Sequence, residues 1–237
     1  RLLQQSYPVS FCATQSPWTM AGEGEETEEE NELLQPGANL ALWGAAAVEV
    51  QNDPSSQSAV AHAVQQDGRA LIHATPDLKE QKEVALKAVA ADGTALMFVS
   101  ENMKQDKDVV LAAVRQVGTA LRLAAEPLAA DRDVVLAAVL QCGQALRHAA
   151  ENLRDDKEVC SAAVQQNGRA LKHASERLRA DKEVVDMAIE NTTEALPYAG
   201  PELKEEWENV LTERWKAAGL HIERRLAGQI VNQIATN

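Results

Sequence analysis

Between residues 56 and 205 the apolar positions recur with a fixed period of 25 residues. Gly-x-Ala-Leu begins at Gly68, Gly93, Gly118, Gly143 and Gly168, and a sixth copy, Thr193-Glu194-Ala195-Leu196, carries Thr in place of Gly. Asp106, Asp131, Asp156 and Asp181 keep the same period and open their units, with Ser56 and Gln81 at the two earlier positions. Six units run without insertion: 56–80, 81–105, 106–130, 131–155, 156–180 and 181–205. A repeat this short cannot bury its own apolar face, so the units must stack.

Within a unit the spacing predicts two helices. Asp106 is an N-cap, Asp108 places an acid in the first turn, and Val109, Val110, Ala113 and Val114 form one apolar face. Gly118 is expected to end that helix in a left-handed conformation. A shorter second helix then holds Ala120, Leu121, Ala124 and Leu128. Helices of this length are marginal alone in water. Alanines at Ala112, Ala137, Ala162, and Ala188 or its neighbours, are expected to let neighbouring helices approach. The expected fold is therefore all-α, an α-solenoid of short two-helix repeats with a helical C-terminal extension. Aromatic residues make up only 3% of the chain, which agrees with a core of Ala, Leu and Val. The Trp residues, at 18, 43, 207 and 215, all lie outside the repeats.

Segments such as Asp131-Arg132-Asp133-Val134-Val135-Leu136-Ala137-Ala138-Val139 and Asn167-Gly168-Arg169-Ala170-Leu171-Lys172-His173-Ala174-Ser175-Glu176 resemble the DUF4116 repeat, a family of short helical repeats of protists, single-celled algae and some bacteria. The resemblance spans residues 56–205 and implies a helical-repeat fold without implying a reaction.

The flanks have a different character. Residues 1–55 read as an acidic extended arm, with a short helix over Ala38–Val48 capping the first repeat. Glu23, Glu25, Glu26, Glu28, Glu29, Glu30 and Glu32 crowd into this arm, and residues 1–50 carry a net −7 of the total −13. Such a run is either a solvated linker or an electrostatic arm for a basic partner. Residues 206–237 read as amphipathic helices. Leu203, Trp207, Val210, Leu211 and Trp215 form one stripe, and Ile222, Leu226, Ile230 and Ile234 a second. These stripes either cap the solenoid or dock into a partner's groove.

Charge argues against nucleic acid as a partner, because phosphate binding needs clustered Lys and Arg. The charge-free run Leu33–Val48 is too short for a membrane span and is broken by Pro36 and Gly37, so any membrane association is expected to be peripheral, through a membrane complex. Cys12, Cys142 and Cys160 have neither disulfide-framework nor zinc spacing and fit a reducing compartment, cytoplasm or organelle stroma. The chain opens on Arg1 and its first methionine is Met20, which reads as a processed or truncated product, compatible with a chloroplast protein that has lost its targeting peptide.

The candidate chemistry is sparse. His73, His148 and His173 share a repeat position with Phe98, Leu123 and Tyr198, which marks a packing position rather than a metal or acid–base site. Lys82, Lys107, Arg132, Lys157 and Lys182 stand beside Glu83, Asp108, Asp133, Glu158 and Glu183 at helix starts, where capping and solvation account for them. Arg122, Arg147 and Lys172 replace Ile72 and Met97 at one position, a switch from apolar to basic that suits an acidic segment of a partner or of the chain's own glutamate arm. No catalytic, cofactor or metal residues are expected, and no phosphate-loop, nucleophile-elbow or zinc-protease motif is present. Glu25, Glu26, Glu28, Glu29, Glu30, Arg122, Arg147, Lys172, Trp207 and Trp215 are the candidate partner-binding residues. The expected function is a non-enzymatic scaffold or adaptor for another protein or a multi-subunit complex. An accessory subunit of an organellar complex, such as one at a photosynthetic membrane, is the alternative. An enzyme or ligand-binding repeat protein stands third.

Overall fold

The computed structural model describes residues 50–217, with side chains through residue 214. The Ala38–Val48 helix, the glutamates of the arm, Trp215 and the stripe from Ile222 to Ile234 lie outside the described residues or side chains.

Every regular element among the described residues is helical. The long helices of the six units are Gln57–Gln66, Lys82–Ala91, Lys107–Gln116, Arg132–Gln141, Lys157–Gln166 and Lys182–Asn191. Each packs on the long helix of the next unit, so the architecture is an all-α solenoid. Their inward residues form one continuous core: Val109, Val110, Ala113 and Val114 in unit 3 are fully buried, as are Val134, Val135, Ala138 and Val139 in unit 4. Residues 50–52 are helical, and Val50 closes the core at the first unit.

In units 1 to 5 the second half is not the single helix the spacing predicts. It divides into a 3-10 helix, such as Gly118–Leu123, and a four-residue α-helix, such as Glu126–Ala129. Ala124 and Ala125 between them are extended, with ψ of 149° at both. The division lets Leu121 and Leu128 both reach the core, and both are buried.

Gly118 plays a different role from the expected left-handed stop. The chain leaves the long helix through extended Val117 (φ −134°, ψ 101°), and none of the Gly-x-Ala-Leu glycines has a positive φ. What each glycine supplies is space. A Cβ on Gly68, Gly93, Gly118, Gly143 or Gly168 would strike the carbonyl oxygen of Ala88, Ala113, Ala138, Ala163 or Ala188 in the following unit. The close-packing alanines are therefore these, one residue after Ala112, Ala137 and Ala162, which lie partly exposed; Ala188 sits where it was expected. Thr193 is tolerated in the last copy because it is exposed.

Three seams run between neighbouring units. Along the first, Lys82 bridges Asp106 (2.9 Å) and Asp108 (2.6 Å), Lys107 bridges Asp131 (2.8 Å) and Asp133 (2.9 Å), and Lys157 bridges Asp181 (2.9 Å) and Glu183 (2.7 Å). Arg132 does the same with Asp156 and Glu158, and Lys182 extends the row to Glu206. Gln57 and Gln81 replace the ion pair at the first junction, with Nε2 of Gln57 donating to Oε1 of Gln81 at 2.8 Å. Along the second seam, Gln141 accepts from the Gly118 N–H (2.7 Å) and donates to the Gln116 carbonyl (3.1 Å). Gln166 accepts from Gly143 N–H (2.6 Å), and Asn191 accepts from Gly168 N–H (3.0 Å) while donating to the Gln165 carbonyl (2.9 Å). The third seam is backbone to backbone, with Ala125 N–H donating to Lys104, Ala150 to Ala129 and Ser175 to Arg154, at 3.1, 2.9 and 3.0 Å. Gly200 N–H continues it to Arg179 at 2.7 Å.

The last unit passes into the helix Pro201–Ala217 without a break at residue 206. Trp207 is 8% exposed and donates its indole N–H to Asp186 at 2.7 Å, and Leu211 is buried beside it. This helix closes the core at its C-terminal end, while Val210, on the other side of the expected stripe, is exposed.

Candidate partner-binding face

The 3-10 helices stack on one another from unit to unit and carry the basic row. Arg122, Arg147 and Lys172 each occupy the fifth position of a 3-10 helix, and all three are exposed. A fifth-position side chain points away from the core because Ala120 and Leu121, two and one residues earlier, are the buried pair. Ile72 and Met97, at the same position in units 1 and 2, are half-buried. The row therefore begins at unit 3 and runs through unit 5, and at unit 6 it meets Pro197. Lys172 lies over the Tyr198 ring, 6.0 Å from its centroid, so an aromatic surface borders the last cation of the row.

The histidine position lies beside this row. Phe98, Leu123 and Tyr198 pack against the core there, as a packing position requires. His148 is half-buried, and its pKa falls to about 4, first through burial and then through the positive charges of Arg147, Arg122 and His173. It is thus a neutral imidazole at neutral pH, set among cations. His173 shares a hydrogen bond of 3.2 Å with Gln144 of the preceding unit, and Gln51 lies 3.4 Å from a ring nitrogen of His73. Burial, and then Lys79, lower the pKa of His73 as well. Among the described residues, no group of three or more His, Cys, Asp or Glu side chains is placed to hold a metal ion. Cys160 is fully buried, its thiol donating to the Arg154 carbonyl at 3.1 Å, and burial pushes its pKa up to about 12. No helix among the described residues is long and apolar enough to cross a membrane.

The structure thus brings Arg122, Arg147 and Lys172 onto one face with His148 and His173. It places Trp207 elsewhere, at the C-terminal end, where its ring is spent on covering the chain's own core. Trp207 is buried there because its indole N–H has Asp186 as a partner, and that burial removes it from any surface a partner could reach. The cations at helix starts, read from sequence as capping and solvation, turn out to be links between units. The signal was present: Lys82, Lys107, Arg132 and Lys157 each stand 24 residues before an Asp N-cap, which only stacking brings within reach. Residue type alone does not single out the seam glutamines, although Gln116, Gln141 and Gln166 keep the repeat period.

Comparison with known proteins gives a family and nothing finer. No curated protein and no solved structure matches the chain. The family described as "Domain of unknown function (DUF4116)" matches residues 81–128, 131–179 and 156–204, just over half of the chain. Its matched segments are each about two units long and overlap by one unit at the C-terminal end, which is how a stacked repeat registers against a two-unit pattern. With its 25-residue units, helical stacking and repeated seams, the chain belongs to the DUF4116 family.

Proposed function

We propose that this protein is a non-enzymatic scaffold or adaptor that presents its stacked 3-10 helices to an acidic segment of a partner protein. The observation that carries the reading is the row Arg122, Arg147 and Lys172, exposed on consecutive units where the first two units hold Ile72 and Met97. A single repeat position has kept its place in the fold while changing its chemistry from apolar to cationic. Stacked units space these charges about 10 Å apart, a distance an extended acidic peptide spans in three residues. Charge on such a row raises the association rate and fixes register more than it adds raw affinity. His148, next to Arg147, is held neutral and adds no further positive charge to the row.

An accessory subunit of a larger assembly is the finer form of the same reading, and an organellar complex is one setting for it. The test is native mass spectrometry of complexes recovered from the source organism with the tagged chain and with the Arg122→Glu, Arg147→Glu chain. A partner held by the first and lost by the second supports the proposal. Recovery of a monomer in both, or of the same partner in both, refutes it. Turnover of any substrate by the purified chain removes the non-enzymatic part.

A further inference from the structure

The long helices carry a second surface, on the side away from the core. In units 2 to 4 each places one leucine there, Leu86, Leu111 and Leu136, partly exposed and resting on the core. Unit 1 has Ala61 at this position, and units 5 and 6 have Ser161 and Asp186, so the leucine row belongs to the middle of the array. Leu140, one turn beyond Leu136, is 65% exposed. With Leu136 and Ala137 it lines a shallow groove of about 540 Å³ that also takes in Arg115, Asp133 and Gln141.

Charge is divided unequally about the leucines. Three residues earlier, toward the helix starts, stand Glu83, Asp108 and Asp133. Lys82 and Lys107 bridge to Asp108 and Asp133, yet these carboxylates remain 72% and 76% exposed. Each of the two cations is also shared with an Asp cap, Asp106 or Asp131. Two carboxylates to one cation leave this edge negative. Toward the helix ends the charges of units 2 to 4 on this surface are Lys87 and Arg115, both exposed.

We propose that this surface takes an amphipathic α-helix of a partner protein, laid across units 2 to 4, with Lys or Arg along one flank. Stacked helices lie about 10 Å apart, and seven residues of α-helix rise about 10.5 Å. An apolar side chain at every seventh position of the crossing helix therefore meets one leucine per unit. Three such residues span about 21 Å and cover Leu86, Leu111 and Leu136, and the drift of about 20° per heptad is small over two intervals. The width agrees as well. From Asp133 to Leu140 the surface extends seven residues, about 10.5 Å, which is the diameter of a helix. With the leucines at the centre, one flank of the crossing helix lies on the acidic edge, where its cations find the excess carboxylates. The other flank lies on Arg115 and Leu140, which suit an acidic and an apolar residue. Covering Leu140 removes an exposed leucine from water.

The test is fluorescence anisotropy of a labelled synthetic helix, about 21 residues long, titrated with the full chain. The peptide has leucine at every seventh position, lysines on one flank, and alanine and glutamine elsewhere. The expected result is saturable binding that falls at least about tenfold in Leu136→Ser with Leu140→Gln, the residues that unit 5 carries at these places. Arg122→Glu with Arg147→Glu, on the 3-10 face, should not weaken it. A peptide with the leucines five residues apart, and one with the lysines changed to glutamate, should each bind at least about tenfold more weakly. No binding, undiminished binding by either altered peptide, or undiminished binding to the Leu136→Ser, Leu140→Gln chain overturns the proposal. So does a dimer of the free chain that this double variant abolishes, because a second copy then occupies the surface.

Discussion

The edge of the molecule at the starts of the long helices and the face formed by the 3-10 helices are built on the same period, yet they behave differently. At the helix starts the residue types scarcely vary: Lys82, Lys107, Arg132 and Lys157 find acids of the following unit, and Lys182 finds Glu206 of the C-terminal helix. On the 3-10 face the fifth position changes from Ile72 and Met97 to Arg122, Arg147 and Lys172. Where a repeat copies itself, the residue serves stacking. Where it departs from itself without leaving its place in the fold, something other than stacking selects the side chain.

The largest effects should come from the copied positions. Gly143→Val drives side-chain carbon into the Ala163 carbonyl and should destabilise the chain by about 3 kcal/mol or more, read from the urea unfolding midpoint. Leu146→Ala, which empties a fully buried site, should cost about 2–5 kcal/mol in the same assay. Wild-type stability in Gly143→Val would dismantle the packing account of these glycines.

A smaller loss, about 1–2 kcal/mol, is expected for Asp131→Ala, which removes a cap accepting from Asp133 N–H and Val134 N–H. The same seam sets the acid limb of stability. Asp106, Asp131 and Asp181 have native pKa values lowered chiefly by hydrogen bonds from Lys82, Lys107 and Lys157. A carboxylate whose pKa is lower in the folded state adds stability above its unfolded pKa and loses it as pH falls through the folded value. The melting temperature should therefore drop below about pH 4, and Lys107→Met should shrink that drop by raising the native pKa of Asp131. Identical acid limbs would mean that the seam is ornamental.

Smallest in stability, and most informative for function, are changes on the 3-10 face. Arg122→Gln with Arg147→Gln should move the unfolding midpoint by no more than about 0.5 kcal/mol. It should also raise the His148 pKa above its value of about 4, because two of the charges that lower it are gone. Burial, the larger cause, keeps it under the ordinary 6.5. A histidine NMR titration reads this, and an unmoved His148 would separate it from the basic row.

Much of this was legible in the sequence because a repeat repeats its signals. The repeat period, the Asp caps, the buried Leu of Gly-x-Ala-Leu and the packing role of the histidine position all follow from residue type at fixed period. The split of the second helix was not legible, because Ala120, Leu121 and Leu128 suit a continuous helix as well as a 3-10 turn followed by an α-turn. Nor was the purpose of Gly118. Glycine satisfies both a left-handed stop and a close approach, and only the neighbouring Ala138 carbonyl distinguishes them. Of the candidate site, the basic row was visible as a change of character between units, whereas the burial of Trp207 depends on Asp186, 21 residues earlier and brought near by stacking.

The central claim, that the departing positions bind while the copied positions fold, is tested most directly by calorimetric titration of a ten-residue polyglutamate peptide into the wild-type and Arg122→Glu, Arg147→Glu chains. The account predicts binding that weakens with added salt and falls at least about tenfold in the reversed chain. Equal affinity in both chains, or no binding to either, would contradict it.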